Sequence, residues 1–240
     1  MENLEKFYIN GRWVTPNSTE TMPVSNPATE QKIGRITLGN GTDVDRAVTA
    51  ALTAFEEFSQ TSKAQRLSLL LRLKSVTEAR FEDLAQAMRL EMGAPISMAR
   101  SDQADAAVGH LQGFIDALEK LEEQITLASG DVLVREPIGV CGLITPWNWP
   151  MNQIVLKVVP ALATGSCCIL KPSEHTPISA MIYAEIIDEA GYPPGVFNLV
   201  NGDGPTVGAA LSRHADIQMM SFTGSTRAGI AVTQDAAPTV

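Results

Sequence analysis

The chain has 240 residues, 45% hydrophobic and 19% charged, and its 18 Lys and Arg against 27 Asp and Glu give a net charge of −9. That length accommodates one large domain or two small ones with a full core, and the composition excludes a disordered chain. An acidic balance without clustered Lys or Arg argues against nucleic acid or an anionic membrane as a partner.

Cys141, Cys167 and Cys168 have spacings that no zinc site uses, and an odd number gives no disulfide framework. The N-terminal MENLEKFYINGRW carries acids where a signal peptide needs a positive flank, and no long apolar run follows. A soluble cytoplasmic protein is expected.

Residues 7–14, FYINGRWV, predict a strand, an Asn10-Gly11 turn and a second strand. Composition around Ser25-Asn26-Pro27 predicts a loop. Thr42 with Asp45 predicts a helix start, and Val44, Ala47, Val48, Ala51, Leu52 and Phe55 then recur at helical spacing. A second helix is expected from Ser62 to about Met92, where Gly93 and Pro95 stop it, and a third from about Pro95 to Gln124. Their apolar stripes show no ligand cluster and read as core.

From residue 131 the pattern is strand-like, and after 138 it alternates. Short apolar runs at 140–144, 167–170, 196–200 and 217–222 are separated by helical stretches near 151–163, 177–190, 204–213 and 225–234. Strands alternating with helices predict βαβ units and an open parallel sheet, an α/β fold whose ligands bind at the carboxyl ends of the strands.

The first strand end, Ile144-Thr145-Pro146-Trp147-Asn148-Trp149-Pro150, is a stiff turn whose asparagine could donate to an oxyanion; an aromatic plug is the alternative. The second, Leu170-Lys171-Pro172-Ser173-Glu174, offers a cation for ribose or phosphate and an acid for two ribose hydroxyls, or else a surface ion pair. The third, around Gly202, Gly204 and Gly208, has Val207 where a dinucleotide fingerprint wants its third glycine. The fourth, Phe222-Thr223-Gly224-Ser225, lacks the Lys-Ser/Thr of a nucleotide-triphosphate loop and leaves a helix N-terminus suited to a phosphate, or a plain N-cap.

Taken in order, TPWNWP at 145–150, LKPSE at 170–174, NGDGPTVG at 201–208 and SFTGSTRAG at 221–229 resemble the NAD(P)-dependent aldehyde dehydrogenase superfamily. YINGRW, the SNPAT loop at 25–29 and EPIGVCG at 136–142 extend the resemblance over nearly the whole chain. It implies a Rossmann-like open sheet with N-terminal helices. The implied reaction oxidises an aldehyde to a carboxylic acid through a cysteine thiohemiacetal and thioester, with NAD as hydride acceptor and a glutamate base. Residue by residue, Asn148 matches the oxyanion-stabilising asparagine, Lys171 the ribose-binding lysine, and Glu174 the acid that favours NAD over NADP. Ser173 lies within the same LKPSE motif. Ser225, with Gly224 opening its helix after Phe222 and Thr223, matches the serine at the pyrophosphate. Ile144, Thr145, Pro146 and Trp147 match the wall beside the cofactor, and Gly204 and Gly208 lie near the adenine.

The family's E-L-G-G-K stretch with its general base and its G-Q-x-C stretch with the nucleophile do not occur in these 240 residues. The expectation is therefore a truncated, cofactor-binding half, inactive by itself, from an enzyme that forms a homodimer or homotetramer. Residues 1–124 would be the N-terminal part of the NAD-binding domain, 125–137 a bridging oligomerisation strand with exposed apolar edges, and 138–240 the NAD-binding core. The alternatives are a non-catalytic nucleotide-binding or assembly module and a coenzyme A-acylating aldehyde dehydrogenase.

Overall fold

A computed structural model describes residues 3–239. Phe7–Ile9 (β1) and Arg12–Val14 (β2) form the expected hairpin, with Asn10 and Gly11 both at positive φ, as a tight two-residue turn requires. Thr21–Ser25 (β3) and Lys32–Thr37 (β4) form a second hairpin around the Ser25-Asn26-Pro27 loop. The loop was expected, but its flanking strands carry Pro23 and exposed polar residues and give little period-2 signal.

The first long helix is Gly41–Phe58 (α1), one residue earlier than its expected start. Its cap is Asn40 with Asp43, each side chain bonding the other's backbone N–H, so Thr42 and Asp45 are not the capping pair. Asp43 is fully buried and also accepts from the Asn17 N–H at 2.7 Å, which ties the incoming loop to the helix. Ser62 does cap the next helix, paired with Gln65, but the expected single rod is two helices, Lys63–Ala79 (α2) and Phe81–Glu91 (α3), broken at Arg80. At this break the Arg80 guanidinium binds Asp83, Glu185 and Glu189, which cross-links the start of α3 to the helix at 178–189. Ile96–Met98 (α4), a π turn (Ala99–Ala104) and Asp105–Lys120 (α5) follow, so the third helical run ends four residues before Gln124. Gln124–Thr126 (β5) and Val132–Val134 (β6) then pair as an exposed two-stranded arm.

The alternating region folds as Val140–Ile144 (β7), Pro150–Ala163 (α6), Cys167–Lys171 (β8), Ile178–Glu189 (α7) and Phe197–Leu199 (β9). A π turn (Gly204–Gly208), Ala209–Arg213 (α8), Met219–Phe222 (β10) and Thr226–Ala236 (α9) complete it. The sheet order is β10-β7-β8-β9-β1-β2. The first four strands are parallel, and β1 and β2 extend the edge antiparallel. Helix α1 packs on β8, β9 and α8, whereas α6 and α7 pack on the sheet and are backed by α2 and α5. Every residue of β7 and β8 is buried, as expected of strands covered on both faces.

The chain moves outward from β7 to β8 to β9, then returns across the sheet to place β10 on the other side of β7. Connections diverge between β7 and β10, which opens a crevice at their carboxyl ends.

Gly195, which turns the chain into β9, has a φ of +85°, and a Cβ there would stand 2.5 Å from the Ala50 carbonyl oxygen. Backbone of α1 blocks the side chain, so Gly195→Ala is expected to cost at least about 2 kcal/mol. Urea unfolding followed by circular dichroism checks this, and an unchanged midpoint would refute it.

Candidate functional site

In-register pairing sets Phe222 of β10 beside Ile144 of β7, and Ile144 beside Lys171 of β8. These three residues end their strands in one row along the carboxyl edge of the sheet. Equivalent positions in a parallel pair point to one face, and here they point toward the π turn: a Cβ on Gly208 would lie 3.7 Å from Ile144 Cδ1 and 3.8 Å from Lys171 Cδ. The crevice holds a cavity of about 610 Å³ lined by Ile144, Gly204, Gly208, Phe222, Arg227 and Ala231, among others.

Lys171 is only 3% exposed. Its ammonium donates to the Gly202 carbonyl at 2.7 Å, to the Pro172 carbonyl at 3.0 Å and to Glu174 Oε2 at 3.4 Å. The ion pair named as the alternative for this strand end is present, but its cation is buried and not at the surface. Burial pulls the Lys171 pKa down and Glu174 pushes it back up. A lysine with two carbonyls and one carboxylate around it spends its hydrogens in fixed directions. The Glu174 contact is the longest of the three, and Glu174 is half-buried, so this is the contact that a ligand hydroxyl can replace.

At the fourth strand end, Ser225 is the N-cap of α9, its hydroxyl accepting from the Ala228 N–H at 3.3 Å. The Phe222 ring lies under this turn. Added carbons at Gly224 and Gly229 would stand 2.5 and 3.3 Å from it, so a side chain at 224 would displace the ring and one at 229 would press on it. Thr223 continues the β10–β7 ladder by donating its N–H to the Ile144 carbonyl at 3.2 Å. At the third end Asp203 caps the π turn through the Thr206 N–H at 2.8 Å, and Pro205 occupies the first turn, where no N–H is required.

The expected wall divides. Ile144 lines the crevice, and Thr145 is buried with its N–H on the Lys171 carbonyl. Trp147, 56% exposed, instead lines a second cavity of about 710 Å³ with Met22, Met92 and His175. Asn148 is exposed at the bend before α6, and Pro146 is half-buried ahead of it. Ser173 is buried and accepts from the His175 N–H at 3.3 Å, which directs it into its own turn.

Sequence reasoning passed over Arg227 and Asp235, which line the crevice on α9; Asp235 is held by Arg213 at 2.9 Å. It also passed over Lys157 on α6, whose ammonium donates to Ser221 Oγ at 3.1 Å and whose pKa burial lowers. Spacing from Pro150 could have placed Lys157 on the half-buried face of α6, but nothing local points to its partner on β10.

The three cysteines are buried. Burial pushes the Cys141 thiol up to about 11 and the Cys167 thiol up to about 12, and raises Cys168 further still. A nucleophilic cysteine needs the opposite environment. Among the described residues no group of His, Cys, Asp and Glu is arranged to hold a metal ion, and no helix is long and apolar enough to cross a membrane.

The strand order, the crevice at the order reversal and the glycine-opened helix together define a doubly wound, Rossmann-like α/β fold. The sequence matches the aldehyde dehydrogenase family over residues 13–240. It is 52% identical to a 3-succinoylsemialdehyde-pyridine dehydrogenase of a Pseudomonas species, covering all of this chain and 50% of that one. The fold superposes with a TM-score of 0.98 on aldehyde dehydrogenase C of Pseudomonas syringae, solved as a mutant with NAD+ and octanal, at 50% identity over all of this chain and 49% of the other. An aldehyde dehydrogenase of Bartonella henselae gives 0.97 at 47% identity, covering 98% of this chain and 50% of that one. The chain belongs to the aldehyde dehydrogenase family, and it spans about half the length of the relatives it matches.

All three thiols are expected to resist an aromatic disulfide reagent at pH 8 in the folded chain and to react together in denaturant. Rapid reaction of any one in the native state would show an accessible thiolate that the burial of all three excludes.

Proposed function

We propose that this chain is the NAD-binding portion of an NAD-dependent aldehyde dehydrogenase that oxidises an aldehyde to a carboxylic acid. The observation that carries the reading is the row Phe222, Ile144, Lys171 at the β7/β10 crevice, with Glu174 on the Lys171 ammonium and the N-terminus of α9 across the gap. The room there supports a nucleotide site. The cavity of about 610 Å³ has an apolar floor for an adenine, and Gly204 leaves open space where a side chain would stand.

In this reading Lys171 and Glu174 hold the adenosine ribose, and Glu174 repels a 2′-phosphate. Ser225 and the free N–H groups of α9 hold the pyrophosphate. Bound NAD+ supplies the hydride acceptor. Asn148 presents its side-chain amide at the mouth of α6, where it donates to the oxygen of the aldehyde as charge develops there. The buried thiols take no covalent role. The nucleophile and base belong to the family's G-Q-x-C and E-L-G-G-K stretches, which these 240 residues do not contain.

In this reading residues 1–124 and 138–240 belong to one NAD-binding unit, supported by the pairing of β1 with β9 in one sheet, and the segment 125–137 supplies most of the β5–β6 arm, whose first strand begins at Gln124. That arm exposes Val132, Leu133 and Val134, the last at 56%, as well as Leu127. Apolar edge residues of this kind fit a homodimer or homotetramer contact. The three unpaired cysteines fit a cytoplasmic setting. Calorimetric titration is expected to show NAD+ binding to the 240-residue chain with preference over NADP+, and Glu174→Gln to narrow that preference; an unchanged ratio would remove Glu174 from the ribose. The same chain is expected to oxidise no aldehyde with NAD+. In a protein that also carries the nucleophile and base, Asn148→Ala is expected to lower turnover about 10²–10³-fold with little change in NAD+ affinity.

A further inference from the structure

Helix α7 begins at Ile178, directly after the loop that carries Glu174, and no neighbouring side chain caps it: Pro177 precedes it, its carbonyl accepting from the Met181 N–H at 3.0 Å but its ring offering no group to the first N–H groups. Its first N–H groups are instead met from a distant segment. Glu91, the last residue of α3, is 3% exposed and places its carboxylate at this helix end. Glu91 Oε1 accepts from the Ser179 N–H at 2.9 Å and from the Ser179 hydroxyl at 2.6 Å, and Oε2 accepts from the Ile178 N–H. Burial pushes the Glu91 carboxyl up to about 7, against the pull of these three bonds. The bonds therefore have to hold a group that the interior disfavours as a charge.

The loop between Lys171 and Ile178 is stiff. Pro172 and Pro177 fix φ near its two ends. The Thr176 N–H donates to the Ser173 carbonyl at 3.1 Å and the His175 N–H to Ser173 Oγ at 3.3 Å, closing the four residues into a turn. Glu174 rides on this turn, and its carboxylate meets the protein through Lys171 at 3.4 Å. The turn is anchored on one side by Lys171 in β8, bonded to the Gly202 carbonyl, and on the other by Ile178 and Ser179 on Glu91. Glu91 ends α3, and two residues on Gly93, at φ +77°, turns the chain where an added Cβ would strike Pro27 at 2.7 Å.

We infer that Glu91 is a positioning residue for cofactor recognition: by anchoring the first turn of α7 from α3, it holds the Ser173–Thr176 turn so that Glu174 faces the ribose. This rests on the cofactor reading above. Glu91 touches no ligand in this scheme, and its effect passes through Glu174.

The test measures NAD+ and NADP+ affinities by calorimetry on the 240-residue chain, in a cycle of Glu91→Gln, Glu174→Gln and the double variant. Glu91→Gln keeps the shape but leaves one acceptor oxygen, and it is expected to weaken NAD+ binding about tenfold, the scale of one lost charge-assisted hydrogen bond. It should narrow the NAD+/NADP+ ratio when Glu174 is present and leave the ratio unchanged when Glu174 is already Gln. Ser179→Ala, which removes only the hydroxyl donor and leaves both backbone N–H bonds to Glu91, should weaken NAD+ by a smaller factor of about two- to threefold in the same direction, and reports even if Glu91→Gln does not fold. Equal affinities in wild type and variants would overturn the inference, as would a loss of the same size in both Glu174 backgrounds, since general loosening of the fold would give that. A wild-type chain that binds no NAD+ would overturn the cofactor reading itself, which distinguishes the two failures.

Discussion

The arrangement depends on one pairing: β10 adds to β7, on the side away from β8. A parallel strand requires a crossover, and the chain has crossed outward twice before it reaches β9. Only by returning over the opposite face can it supply β10. That return creates the gap at the carboxyl edge and brings Phe222, Ile144 and Lys171 into one row. It also explains the close approaches there. The π turn passes over β7 and β8, so that a Cβ on Gly208 would come into van der Waals contact with Ile144 and Lys171, and α9 settles on the Phe222 ring, which leaves no room for a side chain at Gly224.

Around this gap the fold keeps two ionisable groups in its interior, and it treats them alike. Lys171 and Glu91 are each buried, and each bonds backbone groups of a segment far away in sequence, Lys171 the Gly202 carbonyl and Glu91 the N–H groups that open α7. A buried ionisable group held by three hydrogen bonds is expensive to place and hard to displace. It therefore specifies geometry more than it adds stability. Between them the two residues clamp both ends of the loop that carries Glu174, so a flexible surface acid becomes a fixed one.

Much of this was legible in the chain. The Asn10-Gly11 hairpin, the strands at 140–144 and 167–170, and the helices following them rest on local signals: turn residues with positive φ, uninterrupted apolar runs, and prolines at helix starts. The strand ends were legible for the same reason, since each is a short stiff turn after a buried run. What was not legible depends on partners far away. The cross-link at Arg80 depends on carboxylates on α7, more than 100 residues on, and the β3–β4 hairpin on pairing that its residues do not advertise. Thr42 and Asp45 fit the capping pattern as well as Asn40 and Asp43 do, and what distinguishes the second pair is its ties to the incoming loop, the Asn17 N–H donating to Asp43 and the Asn40 amide to the Asn17 side chain. Glu91 carried no signal, because a glutamate near a helix end reads as solvated until the helix that it caps is known.

The two walls of the crevice are not held equally. On the β7–β8 side every strand residue is buried and Lys171 is locked by backbone carbonyls. On the other side β10 is only partly covered, and no residue of α9 is buried. That helix is kept in place by the Phe222 ring beneath its first turns and by the Arg213–Asp235 pair near its end, whose arginine is largely exposed. An exposed pair of this kind contributes little. In the proposed cofactor reading, discrimination between ligands belongs on the β8 side, where Lys171 is held by the Gly202 and Pro172 carbonyls, whereas the N–H groups that open α9 would bind any phosphate alike.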